Sequence, residues 1–147
     1  MSDAAGVTLA QQLAERVVQG MLARDAFSRW LGLEVVELAP AHCLCRMSVR
    51  EEMVNGFGVA HGGIVYSLAD SALAFASNTQ GRIALSIENG ISYPAAVHPG
   101  DVLSALASEE SASYRLAFYR VRVSNQHGDL VALFRGTVYR TSEEHPA

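Results

Sequence analysis

Hydrophobic positions near the start of the chain recur at helical spacing. Between residues 8 and 29 the apolar side chains alternate with charged ones as on an amphipathic helix; they are Leu13, Val17, Val18, Met21, Leu22 and Phe27. We therefore predict an N-terminal helix within residues 1–30 that lies over the rest of the fold, and we expect Gly32 to end it.

Strand-like patterns fill most of the remaining chain. Two short strands are predicted at residues 33–38 and 42–50, separated by Pro40. Four more are predicted beyond residue 81, and glycine, proline, serine or aspartate interrupts the pattern after each of the first three; they span residues 82–93, 101–111, 115–125 and 129–140. Such short connections favour antiparallel neighbours.

A glycine-rich loop, NGFGVAHGG, separates the two groups of strands and leads into residues 62–78. This segment is rich in Ala and Leu and long enough for a helix of about four to five turns. At about 100° per residue, one third of its circumference is small or polar, and the rest is apolar. Those small or polar residues are Gly63, Ser67, Asp70, Ser71, Ala74, Ser77 and Asn78.

Two thirds of this central helix must therefore be buried, which a curved antiparallel sheet wrapped around it would achieve. The sequence thus predicts an α+β fold, and its 147 residues fit a single domain, 1–147, with a core of its own. Half of the residues are hydrophobic, 18% are charged and the net charge is −4, which is typical of a soluble globular protein.

Charge and hydropathy also exclude some partners. The sequence has no basic stripe, so we do not expect it to bind nucleic acid. Its apolar stretches are interrupted before the ~20 residues that a membrane span needs, and its N-terminus does not resemble a signal peptide. We expect a cytoplasmic protein without membrane contact.

Two cysteines, Cys43 and Cys45, lie two residues apart on a predicted strand and should face the same side of the sheet. A zinc site would need further ligands at suitable spacing, and none accompanies this pair. We interpret them as buried structural thiols, with His42 facing the other way.

Asp70 is the one ionisable group on the polar arc of the central helix. A solvated helix face normally carries Lys, Glu and Arg, whereas small uncharged residues also suit a seam against another backbone. The residues leave both interpretations open. A carboxylate removed from water at a seam costs several kcal/mol unless it is paired or hydrogen-bonded, so Asp70 would need a purpose there.

His61, Gly62 and Gly63 precede or begin the same helix, where backbone N–H groups lack intrahelical partners and the helix dipole is positive. Such an end can bind an anion or stabilise an acyl oxygen as it becomes negative, although the glycines could equally form a simple turn. Gly62 and Asp70 are about 12 Å apart along the helix axis, too far for one reacting centre in one chain. If two copies of the helix lay antiparallel, Asp70 of one could face Gly62 of the other, which predicts a homodimer with two composite sites.

The motif N-G-x-G-x-x-H-G-G-x-x-x-x-L-x-D spans Asn55 to Asp70 and is followed by ALAFASNTQG and later VALFRGTVYR. These motifs resemble the hotdog-fold acyl-CoA thioesterases of the phenylacetate-degradation (PaaI) type, over almost the whole chain after the N-terminal helix. The resemblance implies a hotdog fold and hydrolysis of acyl-CoA, with aryl- or phenylacetyl-CoA-like substrates. It also implies dimers joined edge to edge, often paired into tetramers, and no cofactor, since coenzyme A is part of the substrate.

The resemblance also assigns roles to individual residues. Asp70 matches the catalytic carboxylate, a nucleophile or a general base, and Gly62 matches the glycine whose N–H polarises the thioester carbonyl. Asn55 and His61 match residues that line the site. Ser86 falls where related thioesterases have a Ser or Thr that positions the nucleophile or water, although it could be an ordinary strand serine.

Two other functions remain alternatives at this point. A hotdog dehydratase or hydratase would use a His with a carboxylate for proton transfer, and a non-catalytic module would bind acyl-CoA without turnover. For coenzyme A phosphates, Arg82, Arg115 and Arg120 are candidates that could equally be solvated strand residues.

Overall fold

The computed structural model describes the backbone of residues 2–147 and the side chains from residue 8 onward. Two helices come first, a long helix lies in the middle of the chain, and strands make up the rest. The elements are α1 (Ser2–Ala23), α2 (Ala26–Leu31), β1 (Glu34–Ala39), β2 (His42–Ser48), a 3-10 turn (Glu51–Met53), α3 (Gly62–Asn78), β3 (Arg82–Ser92), β4 (Val102–Ala112), β5 (Leu116–Ser124) and β6 (Leu130–Glu144).

The six strands of residues 2–147 lie in a single sheet, in the order β1-β2-β4-β5-β6-β3, and every neighbouring pair is antiparallel. β1 and β3 are therefore its edge strands. The β5–β6 hairpin turns at Gly128, whose φ of 81° is accessible to glycine at little cost. These features confirm the predicted antiparallel sheet.

The central helix α3 packs across one face of this sheet and contacts β2 to β6. It begins and ends where the sequence predicted, and its apolar side is buried; the buried members are Val65, Leu68, Ala69, Ala72, Leu73, Phe75 and Ala76. The prediction of an α+β fold, with a sheet wrapped around one long helix, is confirmed.

The N-terminal region differs from the single helix predicted within residues 1–30. The first helix ends at Ala23, and α2 begins as a separate short helix at Ala26. Asp25 causes the break, because its carboxylate accepts bonds from the Ser28 N–H (2.9 Å) and the Ser28 hydroxyl (2.5 Å), as an N-cap does. Gly32 ends α2 in the left-handed conformation, as expected, whereas residue 1 lies outside the described part of the chain.

Gly136 in β6 marks a place where α3 approaches the sheet closely. A Cβ atom on Gly136 would overlap Leu73 Cδ1 and would lie 2.6 Å from Asn89 Oδ1. The absence of a side chain at this position therefore makes room for both the helix and the amide of Asn89.

Cys43 and Cys45 are both fully buried on β2, with their sulfurs 3.7 Å apart, so the interpretation as structural thiols is confirmed. The hydrogen bond with Cys43 and burial raise the pKa of Cys45 far above the ordinary value of a thiol. His42 is half-buried and lies 3.7 Å from Glu37.

Within the part of the chain that the structure describes, no helix combines the length and the apolar character needed to cross a membrane.

Candidate active site

The loop before α3 is ordered by Asn55. Its side-chain oxygen accepts the N–H of Phe57 (2.9 Å), while its own N–H donates to the Val59 carbonyl (2.8 Å). The Ala60 N–H then donates to Val97 O (2.7 Å), which fixes the end of the loop against the fold. Asn55 thus shapes the loop that delivers the chain to the N-terminus of α3.

His61 is the N-cap of α3. Its Nδ1 accepts the N–H of Gly63 at 2.9 Å, so the ring carries its proton on Nε2 while this bond is formed. His61 is exposed, and its backbone N–H is held by the Met53 carbonyl at 2.8 Å. This arrangement makes His61 an orienting residue of the helix start.

Gly62 offers a free donor at the same helix end. Its N–H has no acceptor among the described residues, whereas the next N–H, of Gly63, is capped by His61. The positive end of the α3 dipole lies at this N–H, so an incoming acyl oxygen would be stabilised there as it gains negative charge.

Tyr93 closes one side of Gly62. Its hydroxyl donates to the Gly62 carbonyl at 2.8 Å, and a Cβ on Gly62 would come within 3.1 Å of Tyr93 Oη and 3.2 Å of Cζ. A side chain at position 62 would therefore displace either the ring or the helix start.

Asp70 lies two helical turns further along α3 and is half-buried. The Asn89 amide nitrogen bridges α3 and β3 by donating to Asp70 Oδ1 (3.2 Å) and to the Tyr66 hydroxyl (3.0 Å). Among the described residues Asp70 forms no ion pair. The carboxylate is thus held by a neutral donor, so no cation among the described residues compensates its negative charge.

The environment of Asp70 favours a basic carboxylate. Burial raises its pKa above the ordinary value, and the hydrogen bond from Asn89 acts in the opposite direction but is the weaker influence. A carboxylate with a raised pKa is a better base and nucleophile at neutral pH than an exposed one.

The small-residue arc of α3 has a mixed environment. Ser71 lies 3.2 Å from Ser28 of α2, so part of the arc is a seam within the chain itself. Asn78 does not belong to an open face, because it is buried and exchanges hydrogen bonds with the backbone of Ala84. Gly63, Ser67 and Asp70 remain partly or fully accessible.

The predicted site residues fall into separate groups in a single chain. Asn55, His61 and Gly62 lie together at the start of α3, whereas Asp70 lies about 12 Å along the same helix. Ser86 is exposed on β3, and its hydroxyl forms no hydrogen bond in the described part of the chain. The catalytic roles of these five residues stay predictions.

Sequence reasoning missed Asn89, Tyr66 and Tyr93. A β-bulge at Ile87 shifts the β3–β6 register between Ser86 and Glu88, so a period-two pattern does not reveal that Asn89 faces α3. For Tyr93, the available signal was its position before Pro94, directly after β3.

The three arginines considered as ligands for coenzyme A phosphates already form hydrogen bonds or ion pairs within the chain. Arg82 donates to the carbonyls of Thr141 and Arg140, at 3.0 and 2.9 Å. Arg120 pairs with Glu110 at 2.6 Å, which makes it a poor candidate for phosphate, and Arg115 donates to the Tyr139 hydroxyl at 2.7 Å. As for metals, no cluster of three or more His, Cys, Asp or Glu suited to a metal ion occurs among the described residues.

Comparison with known proteins identifies the family. Residues 57–132, just over half of the chain, match the thioesterase superfamily. A putative esterase of Archaeoglobus fulgidus is 39% identical over 92% of this chain and 88% of its own length. Acyl-coenzyme A thioesterase PaaI of Escherichia coli is 33% identical over 82% of this chain and 86% of its own.

The fold comparison agrees with the sequence comparison. The solved structure of the E. coli PaaI protein, from the phenylacetic acid degradation operon, superposes with a TM-score of 0.89 at 30% identity. That match covers 91% of this chain and 97% of the E. coli chain. With its six-stranded antiparallel sheet, its long central helix and these relatives, the chain belongs to the thioesterase superfamily and is a thioester hydrolase of the hotdog fold.

Proposed function

We propose that the protein hydrolyses acyl-coenzyme A thioesters, with aryl- or phenylacetyl-CoA-like substrates, to the free acid and coenzyme A. The observation that carries this proposal is that one helix carries both a Gly62 N–H without an acceptor and a half-buried Asp70 carboxylate without an ion pair among the described residues. The acyl-CoA substrate is supported by the name of the E. coli relative, and the aryl group by the operon of that relative.

The chemistry of thioester hydrolysis requires these two groups on opposite sides of the carbonyl. The Gly62 N–H and the α3 dipole stabilise the oxyanion of the tetrahedral intermediate. The carboxylate of Asp70 either attacks the carbonyl carbon or removes a proton from a water molecule that does so. When water attacks, Asp70 takes its proton, the carbon–sulfur bond breaks, and that proton passes to the coenzyme A thiolate. When Asp70 attacks, the carbon–sulfur bond breaks to leave a mixed anhydride of Asp70 with the acyl group. Water then hydrolyses the anhydride, which frees the carboxylate and the acid and supplies the proton that the thiolate takes up.

Because Gly62 and Asp70 of one chain are about 12 Å apart, we place the two groups of each site on different subunits of a homodimer. The outer edge of β3 supports this assembly, since it has no strand partner among residues 2–147. Leu85 and Ile87 on this strand are 57% and 60% exposed, and Phe57 in the loop before α3 is 91% exposed. An unpaired edge with exposed apolar side chains is suited to pairing with a second copy. The pairing of two dimers into a tetramer stays a prediction from the family resemblance.

The other proposed site residues support these groups. Asn55 and His61 shape the loop and helix start, and Ser86 on the exposed face of β3 is available to position water or the nucleophile. We propose that no cofactor is needed, because coenzyme A enters with the substrate. Since His61 Nδ1 is used in capping Gly63, a dehydratase reaction with His61 as the base is less well supported.

The experiment is to incubate the wild type and Asp70→Asn with a panel of acyl-CoAs and to follow free thiol. We expect release by the wild type and a loss of at least about a hundredfold in the variant. Tight acyl-CoA binding without release would instead indicate a binding module, and water addition to an enoyl-CoA would indicate a hydratase. Sedimentation is the companion measurement, because a fully active monomer would contradict the composite site.

A further inference from the structure

A stacked pair of aromatic side chains, Phe27 and Trp30, is exposed on α2. Their ring centroids lie 6.0 Å apart with an interplanar angle of 18°, and the residues are 53% and 47% exposed. Large aromatic side chains left open to water as a contiguous surface are typical of a binding site. Neither residue has a role in the catalytic chemistry described above.

The aromatic pair borders an open cleft of about 380 Å³ that reaches the start of α3. On the helix side the cleft runs from Gly63 to Ser67, about 6 Å or one turn. It is lined by apolar residues and by the residues that flank the Gly62 N–H, including Phe27, Trp30, Met53, Ile64, His61 and Gly63. An acyl group whose carbonyl oxygen is bound by Gly62 would thus have an apolar cleft beside it.

Arg50 holds Trp30, one member of the aromatic pair, in place. Its guanidinium lies 5.0 Å from the Trp30 ring centroid and donates to the carbonyls of Trp30 (2.6 Å) and Leu31 (3.0 Å). The same guanidinium pairs with Glu52 at 2.7 Å, which compensates the carboxylate charge at the edge of the cleft. The Trp30 side of the cleft is therefore oriented by cation–π and hydrogen-bond contacts before any ligand binds.

We propose that the Phe27–Trp30 wall binds the acyl group of the thioester and selects acyl groups that end in an aromatic ring. This inference rests on the proposed function and assigns its specificity to particular residues. A cleft one helical turn long, bounded by two flat rings, suits a ring better than an extended alkyl chain. Aromatic rings also gain from offset or edge-to-face contacts with Trp and Phe beyond the burial of their area.

Trp30 is the only tryptophan in the sequence, so its fluorescence reports directly on this cleft. Asp70→Asn, in which turnover is slowed, is titrated with phenylacetyl-CoA and, separately, with acetyl-CoA. We expect a saturable change in Trp30 emission with phenylacetyl-CoA and a much smaller change with acetyl-CoA. Calorimetric binding of phenylacetyl-CoA with unchanged Trp30 emission would overturn the proposal.

Kinetics provide the second test. We expect Trp30→Ala to lower kcat/KM for phenylacetyl-CoA about tenfold more than for acetyl-CoA, and Trp30→Phe to retain most of the selectivity. Phe118→Ala, which truncates another exposed aromatic residue on β5, is the matched control and should leave the ratio unchanged. Circular dichroism and thermal melting check that each variant is folded.

The outcomes separate this inference from the proposed function. A fluorescence change in Asp70→Asn together with no thiol release by the wild type would retain the acyl cleft but contradict hydrolysis. Hydrolysis with an unaltered substrate ratio in Trp30→Ala would retain the proposed function and contradict the cleft. Equal loss for both substrates, together with a changed oligomeric mass, would show that the aromatic pair is a subunit contact and would also overturn the inference.

Discussion

The amide nitrogen of Asn89 lies 3.2 Å from Asp70 Oδ1 and ties the proposed catalytic carboxylate on α3 to strand β3. The same nitrogen contacts the Tyr66 hydroxyl, so Asn89 fixes both side chains at once. A donor to a carboxylate favours its charged form and lowers its pKa. Asn89 is therefore a positioning residue that also sets the pH range in which Asp70 is ionised.

Replacing Asn89 should move the pH profile. In Asn89→Leu the donor is lost, so the pKa of Asp70 rises further and the acid limb of kcat/KM moves to higher pH. The measurement is a pH–rate profile with an acyl-CoA substrate. Glu88→Gln, the exposed neighbour on β3, is the matched control, and an unmoved acid limb in Asn89→Leu would show that Asn89 does not act on the carboxylate.

Asp70 should reduce stability at neutral pH. Because its folded-state pKa is raised above the ordinary 3.8, the folded protein binds this proton more tightly than the unfolded chain does. This tighter proton binding adds to the free energy of unfolding. The addition is complete below pH 3.8 and is lost as the pH rises through the folded-state pKa. We thus expect Asp70→Asn to melt at a higher temperature than the wild type at pH ~7, with the difference shrinking towards pH ~4. A constant difference across this range would contradict the assignment.

A side chain at position 62 should crowd Tyr93 and lower activity. Alanine keeps the N–H donor, but its Cβ would lie 3.1 Å from Tyr93 Oη, so either the Tyr93 ring or the helix start must shift. We expect Gly62→Ala to lower kcat/KM about tenfold, less than the loss of a whole oxyanion donor. A double-mutant cycle with Tyr93→Ala measures the coupling, and part of the loss should be recovered in the double variant. Strictly additive effects would exclude the steric explanation.

Subunit mixing tests the composite site directly. Gly62→Pro removes the N–H donor at the first helical position, where the backbone suits proline, and the ψ of 133° at His61 suits a residue before proline. The Cβ of proline also crowds Tyr93, which adds to the loss of activity in this variant. Mixed with Asp70→Asn, this variant should form heterodimers with one intact site. Random mixing should then restore about a quarter of wild-type activity, although each variant alone is nearly inactive. No recovery in verified heterodimers would place both groups within one chain.

Gly136 should be needed for the close approach of α3 to the sheet. In Gly136→Ala the new methyl group would overlap Leu73 and crowd the Asn89 amide. We expect a loss of about 1–3 kcal/mol in the free energy of unfolding, as for other overpacked cores. Denaturant melts measure it, with Gly56→Ala as the control, since no described residue other than its chain neighbours has an atom within 4 Å of the position its Cβ would take.

The central helix could be predicted well because its apolar pattern and burial agree along its whole length. Its boundaries, Gly62–Asn78, follow from a glycine start and from a sequence with high helix propensity. The break before α2 was missed because Asp25 fits an amphipathic helix face as well as it fits an N-cap. Only the hydrogen bonds to Ser28 distinguish the two.

Asn89 could not be predicted from the sequence because its orientation depends on a bulge. Ala84 is buried beside α3, and Asn89, five residues later, also reaches α3, whereas a regular strand would place them on opposite faces. The extra residue at Ile87 shifts the alternation of side chains by one position, so Asn89 faces α3 as Ala84 does. The aromatic cleft is likewise a tertiary feature, since it brings α2 and the start of α3 together from segments about thirty residues apart in sequence.

The two buried cysteines have a practical consequence. With Cys43 and Cys45 both fully shielded from solvent, a thiol-reactive dye should label the folded protein very slowly. A colorimetric thiol reading would then report coenzyme A released from substrate, with little background from the enzyme. In the absence of substrate, the same dye becomes a probe of unfolding, because labelling at these positions requires β2 to separate from its neighbours.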